Sequence, residues 1–213
     1  MKTIKNLHLV LIFFVLVTYF SCSKKDDNEP ADFDKEVFYY HDDSLIYLDI
    51  NSKMIMVAFN ESGYTETLAL NIYNNYPEID LEKSAVGSYY RNHLFLKDGI
   101  TEYEYLELLK YLNAFDPIIY ATPSFFTDNG VGFLTNKFFI EPIMPENEFE
   151  NFLNNNLTKF SKVKDFYPEN LFIVNKIENG FEGVDFANKI NVMDGIEYSC
   201  PSFSYLLDQM GDY

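Results

Sequence analysis

Few side chains of this sequence have the types and spacing that catalysis or metal binding requires. Of the three histidines, His8 lies in an N-terminal apolar stretch, which leaves His41 and His93. Two histidines so far apart form no recognisable zinc pattern, and neither stands in a cysteine-peptidase context that could activate Cys200. Cys200 is therefore expected to be a small core residue.

The acidic residues also form no recognisable ligand or catalytic set. Asp42, Asp43 and Asp49 lack the alternating oxygen-ligand spacing and the central glycine of a calcium loop, so we interpret them as turn and surface residues. Neither G-x-G-x-x-G nor G-x-x-x-x-G-K-[ST] occurs, and no motif predicts a bound nucleotide. We accordingly predict that the protein is not an enzyme and has no catalytic residue, metal or cofactor.

The first residues have the layout of a bacterial lipoprotein signal. Two lysines precede an almost unbroken apolar stretch over residues 7–20, and VTYFSC, ending at Cys22, resembles a lipobox with Tyr19 in place of the usual leucine. Residues 1–21 are therefore predicted to be a cleaved signal peptide, and Cys22 is the predicted site of lipid attachment. The alternative is an ordinary signal peptide with an incidental cysteine.

A polar tether is predicted after the lipid site. Residues 22–36 are rich in charge and contain a proline, which is typical of a flexible acidic segment between membrane and body. The run SKKDD within it resembles the tether of surface-exported lipoproteins in one large group of Gram-negative bacteria. The predicted location is the cell envelope, with a lipid anchor in the outer membrane. The tether favours exposure at the cell surface, although the sequence leaves the leaflet open.

The chain is strongly acidic. Without the two signal-peptide lysines, 14 basic residues stand against 33 acidic ones, for a net charge of −19. Such a surface repels a phosphate backbone and contains no basic stripe, so nucleic acid is excluded as a partner. The acidic residues are scattered along the chain, which is typical of a solvated exterior.

Periodicity predicts two series of strands and helices. In the first, VFYYHDD and SLIYLDIN are typical of a hairpin, MIMVAF of a third strand, and IIYATPSFF of a strand that follows a helix. The helix begins near Thr101, and its predicted apolar face consists of Tyr105, Leu108, Leu109 and Leu112. Between residues 60 and 98 the pattern does not separate strands from short helices.

The second series is more regular. A strand over 137–144, a helix opening at Pro145, the strand LFIVNKI, a helix capped by Gly195 and the strand IEYSCPSFSYLL follow one another. Pro142 favours an edge or a bulge for the first strand, and a further strand is predicted near 162–166. This order is compatible with a ferredoxin-like (split βαβ) sandwich.

Two strands share the pattern I-x-Y-[small]-x-P-S-F, at residues 118–125 and, 78 positions later, at 196–203. We interpret the pattern as a duplication, with chance similarity in an aromatic-rich chain as the alternative. In both copies we expect the small residue to pack under a helix and the proline to end strand pairing. The predicted fold class is therefore α+β, with two related βα units at residues 37–130 and 131–213.

The second unit resembles a known family. Its segments TNKFFIEPIMPENEFENFL, ENLFIVNKI, GVDFANKI and IEYSCPSF resemble the propeptide region of bacterial lipoprotein-type subtilisin-like serine peptidases. FYYHDDSLIYLDINSKMIMVAF, near the N-terminus, resembles the start of long members of that group. The resemblance implies the ferredoxin-like fold of these propeptides. Cys200 stands where the family has an acidic residue, and no Asp-Thr-Gly, His-Gly-Thr or Gly-Thr-Ser motif supplies the family's catalytic triad.

The resemblance also implies a function in binding. A propeptide of this family packs its sheet on the peptidase and lays the tail after its last strand in the substrate cleft, as an inhibitor or folding helper. The binding residues would here be Pro201, Ser202, Phe203, Ser204, Tyr205, Leu206 and Leu207. Alternatively, the aromatic residues of this tail complete the core. The protein would then be a non-catalytic surface interaction or structural lipoprotein, or the remnant of a longer peptidase.

Overall fold

Strands and helices alternate in two series along the part of the chain that the computed structural model describes. This part comprises residues 36–41, 44–87, 89–128, 130–156, 160–163 and 170–205. The predicted lipid site Cys22, the tether up to residue 35 and the predicted binding residues Leu206 and Leu207 lie outside it. The combination of helices with antiparallel strands confirms the predicted α+β class.

The first series starts with the predicted hairpin and continues as one βαββαβ unit. The hairpin consists of β1 (Val37–His41) and β2 (Ser44–Leu48). The unit consists of β3 (Ile50–Phe59), α1 (Glu66–Tyr73), β4 (Ile79–Ala85), β5 (Arg91–Leu96), α2 (Glu102–Asn113) and β6 (Ile118–Thr127). The described residues of the ambiguous region between 60 and 98 thus form a 3₁₀ turn (Glu61–Gly63), one α-helix and two strands. LALNIY is helical because Thr65 caps α1, accepting the Leu68 N–H at 3.1 Å.

The second series is another βαββαβ unit. It consists of β7 (Gly130–Pro142), α3 (Glu146–Asn156), β8 (Phe160–Lys162), β9 (Leu171–Val174), α4 (Glu182–Asn191) and β10 (Ile196–Tyr205). β7 begins well before the predicted residue 137, because its first residues pair with β6 in a hairpin. β8 lies slightly before the strand predicted at 162–166.

The two units join in one antiparallel sheet and have the same internal strand order. The sheet runs β4-β5-β3-β6-β7-β9-β8, and β10 pairs with the other edge of β7. Within the first unit the order is therefore β6-β3-β5-β4, and within the second it is β10-β7-β9-β8. In each unit the first strand is central, with the last strand on one side and the third on the other. The two copies of the repeated pattern are the corresponding strands β6 and β10.

The prediction that the two prolines of the pattern end strand pairing is wrong. β6 continues past Pro123 to Thr127, and β10 continues past Pro201 to Tyr205. Both prolines lie beside a shift in strand register, so the ladder is interrupted locally and the missing N–H is accommodated there. Pro142 is the last residue of a central strand and faces Ile196 beside another register shift, which agrees with the predicted bulge and not with an edge strand.

Two apolar clusters hold the units together. Ile55, Val57 and Phe59 of β3 join the cluster that contains the buried faces of α1 and α2. Side chains alternate along a strand, so Met54, Met56 and Ala58 point to the opposite side of β3. These three residues belong to the second cluster, whose other members come mainly from the second unit. Both faces of β3 are therefore buried, one under the helices of its own unit and one in the shared second cluster.

The two corresponding helices begin in different ways. α2 has the predicted apolar face and starts with a capping box, in which the Thr101 hydroxyl accepts the Glu104 N–H and the Glu104 carboxylate accepts the Thr101 N–H at 2.9 Å. α4 starts at Glu182, and its N-cap residue Phe181 provides no side-chain cap. Gly195, which we predicted as the cap of α4, instead adopts φ +83° in the turn before β10, while the helix already ends at Asn191.

Candidate functional site

The predicted peptidase-binding residues form the end of β10, where most of them pack within the protein. Pro201 is buried, Ser202, Phe203 and Ser204 are half-buried, and Tyr205 is 56% exposed. The Phe203 ring lies 5.1 Å from the ring of Tyr39 and 5.2 Å from that of Phe125, measured between centroids. The aromatic ring of Phe203 thus contributes to the core. Among the described residues of this set, Tyr205 has a mainly exposed side chain.

One asparagine in each unit ties the helix to the repeated strand. The Asn113 Oδ1 at the end of α2 accepts the Ala121 N–H at 2.7 Å, and the Asn191 Oδ1 at the end of α4 accepts the Ser199 N–H at 2.7 Å. Ala121 and Ser199, the small residues of the pattern, are fully buried, as predicted for packing under a helix. Extending the 78-residue offset backwards along the sequence would have found these asparagines, because both copies keep asparagine at that position.

The second unit presents a partly exposed sheet surface on the side opposite its helices. Phe138 and Ile140 of β7 are buried in the cluster that includes α3 and α4, so the alternate residues Phe139 and Glu141 point away from the helices. In register opposite them stand Cys200 and Tyr198 of β10. We call this surface, made of Phe139, Glu141, Tyr198 and Cys200, the outer face. Tyr198 is 45% exposed on it.

The corresponding surface of the first unit is covered. Tyr120 of β6 stands opposite Ala58 of β3, and Thr122 stands opposite Met56. Tyr120 is only 5% exposed, and the other three residues are buried as well. Among the contacts that bury them, the Thr122 hydroxyl donates to the carbonyl oxygen of Leu134 in β7 at 2.6 Å. The second unit therefore covers part of this surface of the first unit, whereas its own outer face is partly exposed.

Cys200 is half-buried, and not a core residue as expected, because its side chain points to the outer face. Burial raises the pKa of its thiol above the ordinary value. The thiolate is the nucleophilic form of cysteine, so this environment disfavours nucleophilic chemistry at neutral pH. Cys200 is best described as a small half-buried residue of a sheet surface.

A groove opens between the end of β4 and the start of β5 in the first unit. It has a volume of about 530 Å³, within the range of small-molecule sites. Its lining is mainly apolar and consists of Ala85, Val86, Gly87, Tyr89, Tyr90, Arg91 and His93. We call it the tyrosine groove. In the sequence, His93 was considered as a zinc ligand and as a partner of Cys200, and it was not connected with the neighbouring tyrosines.

A buried asparagine holds the loop that forms the tyrosine groove. Asn92 donates through Nδ2 to the carbonyl oxygen of Tyr89 at 3.1 Å and to the hydroxyl oxygen of Tyr64 at 3.2 Å. Its Oδ1 accepts the hydroxyl of Tyr73 at 2.9 Å, and the Tyr64 hydroxyl donates to the carbonyl oxygen of Gly87. Because both ends of the Asn92 amide are bonded and its side chain is fully buried, Asn92 links Tyr89 to the Tyr64 and Tyr73 hydroxyls.

Positive charge is concentrated beside the tyrosine groove. The Arg91 guanidinium lies over the ring of Tyr90, with 5.5 Å from Cζ to the ring centroid. Burial, and then the charge of Arg91, lower the pKa of His93 and also that of Lys137 on β7. The His93 ring stacks at a tilt against Phe133, with 4.8 Å between centroids. In a chain with a net charge of −17, the proximity of Arg91 and Lys137 stands out.

Other candidate sites are smaller or incomplete. A smaller cavity of about 280 Å³ lies between α2 and the loop before β4 and is lined by tyrosines and glutamates. Within the described ranges, no group of three or more histidine, cysteine or acidic side chains could hold a metal ion. His41 lies at the exposed end of β1, Asp49 lies between β2 and β3, and Asp42 and Asp43 lie outside the described residues.

No helix in the described part of the chain is long and apolar enough to cross a membrane. Comparison with known proteins adds no identification. No family model matches the chain, and no curated protein or solved structure shows significant similarity to it.

Proposed function

We propose that the protein is a lipid-anchored, non-catalytic relative of the subtilisin propeptide that binds a subtilisin-like peptidase as an inhibitor or folding helper. The observation that carries the proposal is the strand order β10-β7-β9-β8 of the second unit, with α3 and α4 packed on one side. This is the order of a ferredoxin-like split βαβ sandwich, which the sequence resemblance implies. We propose the same fold for the first unit, whose strand order is equivalent.

The outer face is the surface on which such a peptidase would dock. Phe139, Cys200 and Tyr198 supply apolar and aromatic area that the protein leaves partly exposed. Aromatic residues at the centre of an interface contribute much of its binding energy. Glu141 adds a carboxylate that could pair with a basic group of the peptidase.

The end of β10 would direct the following residues into the substrate cleft. Phe203 anchors the strand in the core, and Tyr205 is exposed at its last position. Leu206 and Leu207 follow in the sequence. An extended segment in a cleft needs main-chain hydrogen bonds and a few side-chain pockets, which these residues can fill.

Inhibition of a subtilisin-type peptidase tests the proposal. The protein is expected to slow hydrolysis of a chromogenic peptide at micromolar concentration, and Tyr198→Asp is expected to weaken inhibition by about tenfold or more, since it places a charge in the interface. Removing residues 206–213 should also weaken inhibition. Tyr103→Asp is the matched control, because Tyr103 is a 72% exposed tyrosine of the first unit. Absence of inhibition, together with absence of any effect on refolding of the peptidase, would reject the proposal.

A second candidate function is ligand binding at a surface without a peptidase partner. The tyrosine groove favours it, because this preformed cavity lies in the first unit, away from the end of β10. If the protein binds a ligand there and has no effect on a peptidase, this second function is supported. The remaining hypothesis, a remnant of a longer peptidase, is tested by inspecting the neighbouring reading frame for a peptidase domain.

A further inference from the structure

We propose that the cavity between α2 and the loop before β4 binds a small quaternary ammonium cation. We call this site the α2 cavity. The proposal concerns residues of the first unit and does not depend on peptidase binding. It rests on two kinds of side chain that attract cations and line the same cavity, namely Tyr76, Tyr103, Tyr111, Glu78, Glu104 and Glu107.

The charge of the lining selects a cation. The described lining includes three glutamates and no lysine, arginine or histidine. Glu78 is half-buried, and within the described ranges no basic side chain forms an ion pair with its carboxylate. Burial, and then the Tyr111 hydroxyl and the Glu78 carboxylate, raise the pKa of Tyr76, so this carboxylate lies near the two tyrosines. A bound cation would reduce the repulsion among the carboxylates of the lining.

Existing hydrogen bonds favour a cation that donates none. The Glu104 carboxylate accepts the N–H and the hydroxyl of Thr101 at 2.9 and 2.8 Å. The Glu107 carboxylate accepts a hydrogen bond from the Lys110 ammonium. Two of the three carboxylates therefore already have donors, and they offer a ligand mainly their charge. A quaternary ammonium group carries a positive charge and no N–H, so it matches a lining of this kind.

Aromatic rings supply the other part of the site. The rings of Tyr76 and Tyr111 stack with 6.3 Å between centroids, and Tyr76 also packs edge-on against Phe115 at 6.5 Å. Tyr111 is 54% exposed and Tyr103 is 72% exposed, so the protein itself covers little of either ring. The negative face of a tyrosine ring attracts quaternary ammonium groups such as that of choline.

The α2 cavity is small, and its two walls are held in place. Its volume of about 280 Å³ lies just below the range of about 300 to 1,000 Å³ that is typical of drug-sized ligands. The Tyr76 N–H donates to the Tyr73 carbonyl at 3.0 Å, and the Lys97 N–H donates to the Glu78 carbonyl at 2.8 Å. Leu108 of α2 is buried on the opposite wall. A preformed site loses less conformational entropy on binding, which favours affinity for a small ligand.

Ligand-observed NMR with choline tests the proposal, with dimethylbutanol, in which a carbon atom replaces the charged nitrogen, as the neutral analogue of the same shape. Each ligand has one strong methyl signal, and saturation transfer from the protein to this signal measures binding. Choline is expected to bind more tightly than the analogue. Glu78→Gln is expected to weaken choline binding by about three- to tenfold and to leave the analogue unchanged, because it removes a charge and keeps the shape. Tyr111→Leu is expected to weaken choline more than the analogue, because it removes an aromatic ring and keeps an apolar side chain.

Lys110 offers a variant that should improve binding. The hydrogen bond and charge of Glu107, and then the hydroxyls of Tyr103 and Tyr111, raise the pKa of Lys110, so its ammonium lies close to the cavity. Lys110→Gln removes this neighbouring positive charge and is expected to tighten choline binding by about two- to fivefold. A gain in affinity cannot result from a loss of folding, so this variant tests the proposal even if Glu78→Gln does not fold.

Two controls complete the experiment. Glu150→Gln removes an exposed carboxylate from α3 of the second unit and is expected to leave both affinities unchanged. Phosphocholine distinguishes a lipid headgroup from a free cation, and it is expected to bind more weakly than choline because its phosphate is repelled by the glutamates. Equal affinity for choline and its neutral analogue, no binding at millimolar choline, or unchanged choline binding by both Glu78→Gln and Lys110→Gln would each overturn the proposal. Phosphocholine binding as tight as that of choline would overturn it as well.

Discussion

The last strands of the two units, β6 and β10, share a sequence pattern but differ in what covers them. On the helix side they are alike, since Ala121 and Ser199 are both fully buried and each donates its N–H to an asparagine of the preceding helix. On the opposite side Tyr120 is 5% exposed, whereas Tyr198 is 45% exposed. The two units therefore share the contacts between helix and sheet and differ in how far the other sheet surface is covered.

The partner strands show the same division. Ala58 and Met56 of β3, which face a covered surface, correspond to Glu141 and Phe139 of β7, which face a partly exposed one. A carboxylate can stay hydrated on the outer face of the second unit, whereas at position 58 it would be buried. One scaffold thus supplies a closed surface for assembly within the chain and a partly open surface, on which we propose that a peptidase docks.

The largest effect is expected from truncating the two corresponding tyrosines. Tyr120→Ala should lower the free energy of unfolding by about 3 to 5 kcal/mol, because it empties a buried site. Tyr198→Ala should lower it by about 1 kcal/mol or less, because the ring is partly exposed. Urea denaturation followed by circular dichroism measures both, and Tyr120→Phe separates the ring from its hydroxyl. Equal losses in the two units would contradict the difference in cover.

The next largest effect is expected at the asparagines between helix and strand. Asn113→Ala should lower the free energy of unfolding by about 2 to 3 kcal/mol. Besides accepting the Ala121 N–H, Asn113 donates through Nδ2 to the carbonyl oxygens of Leu109 and Ala121 at 2.9 and 2.8 Å. Asn191→Ala should lower the free energy of unfolding by about 1 to 2 kcal/mol, because it removes the oxygen that accepts the Ser199 N–H. Urea denaturation again gives the values.

Replacing each asparagine with aspartate separates the accepted hydrogen bond from the donated ones. Asn191→Asp keeps the acceptor oxygen and should preserve most of the stability, whereas Asn113→Asp loses two donated hydrogen bonds and should not. If both aspartate variants behave alike, the two asparagines do not play the different roles that we assign to them.

A smaller effect is expected at the starts of α2 and α4. Glu182 of α4 accepts the N–H groups of Glu178 and Asn179 at 2.8 Å and that of Gly180 at 3.0 Å, so Glu182→Ala should cost about 2 kcal/mol. Thr101→Ala removes the cap of α2 and should cost about 1 kcal/mol. Thermal unfolding ranks the two, and the reverse order would show that the loop before α4 tolerates loss of these bonds.

The capping box of α2 also predicts a pH dependence. Hydrogen bonds from the Thr101 N–H and hydroxyl lower the pKa of Glu104 in the folded protein. The stabilisation is therefore present above the pKa of glutamate in the unfolded chain and is lost as the pH falls through the lowered folded value. Thr101→Ala should reduce this loss of stability in acid, which a series of thermal unfolding curves between neutral and acidic pH would measure.

The smallest effect concerns thiol reactivity on the two surfaces. Cys200 should react slowly with a disulfide reagent, and its rate should still increase at pH values above the ordinary thiol pKa, because burial raises the pKa and lowers the thiolate fraction. A cysteine introduced by Thr122→Cys, at the corresponding covered position, should react only on unfolding. Peptide mapping locates the modification. Similar native-state rates at both positions would contradict the difference in cover.

Much of the fold could be predicted from local patterns. The apolar face of α2 and the hairpin before β3 were predicted because their periodicity and turn residues act over a few neighbours. The prolines of β6 and β10 were misjudged, because a register shift depends on the partner strand and not on the strand that contains the proline. The candidate site was harder still, since Phe203 meets Tyr39 from the first hairpin, far away in the sequence.

By itself, the sequence determined the α+β class, the repeat of 78 positions and the buried side of α2, because these follow from residue spacing within short segments. Only the tertiary structure decided which of the two repeated surfaces is covered, and that Arg91, His93 and Tyr89 line one groove. The first outcome depends on packing between segments distant in sequence. The second depends on hydrogen bonds from Asn92, between two groove residues, to Tyr64 and Tyr73 in an earlier part of the chain.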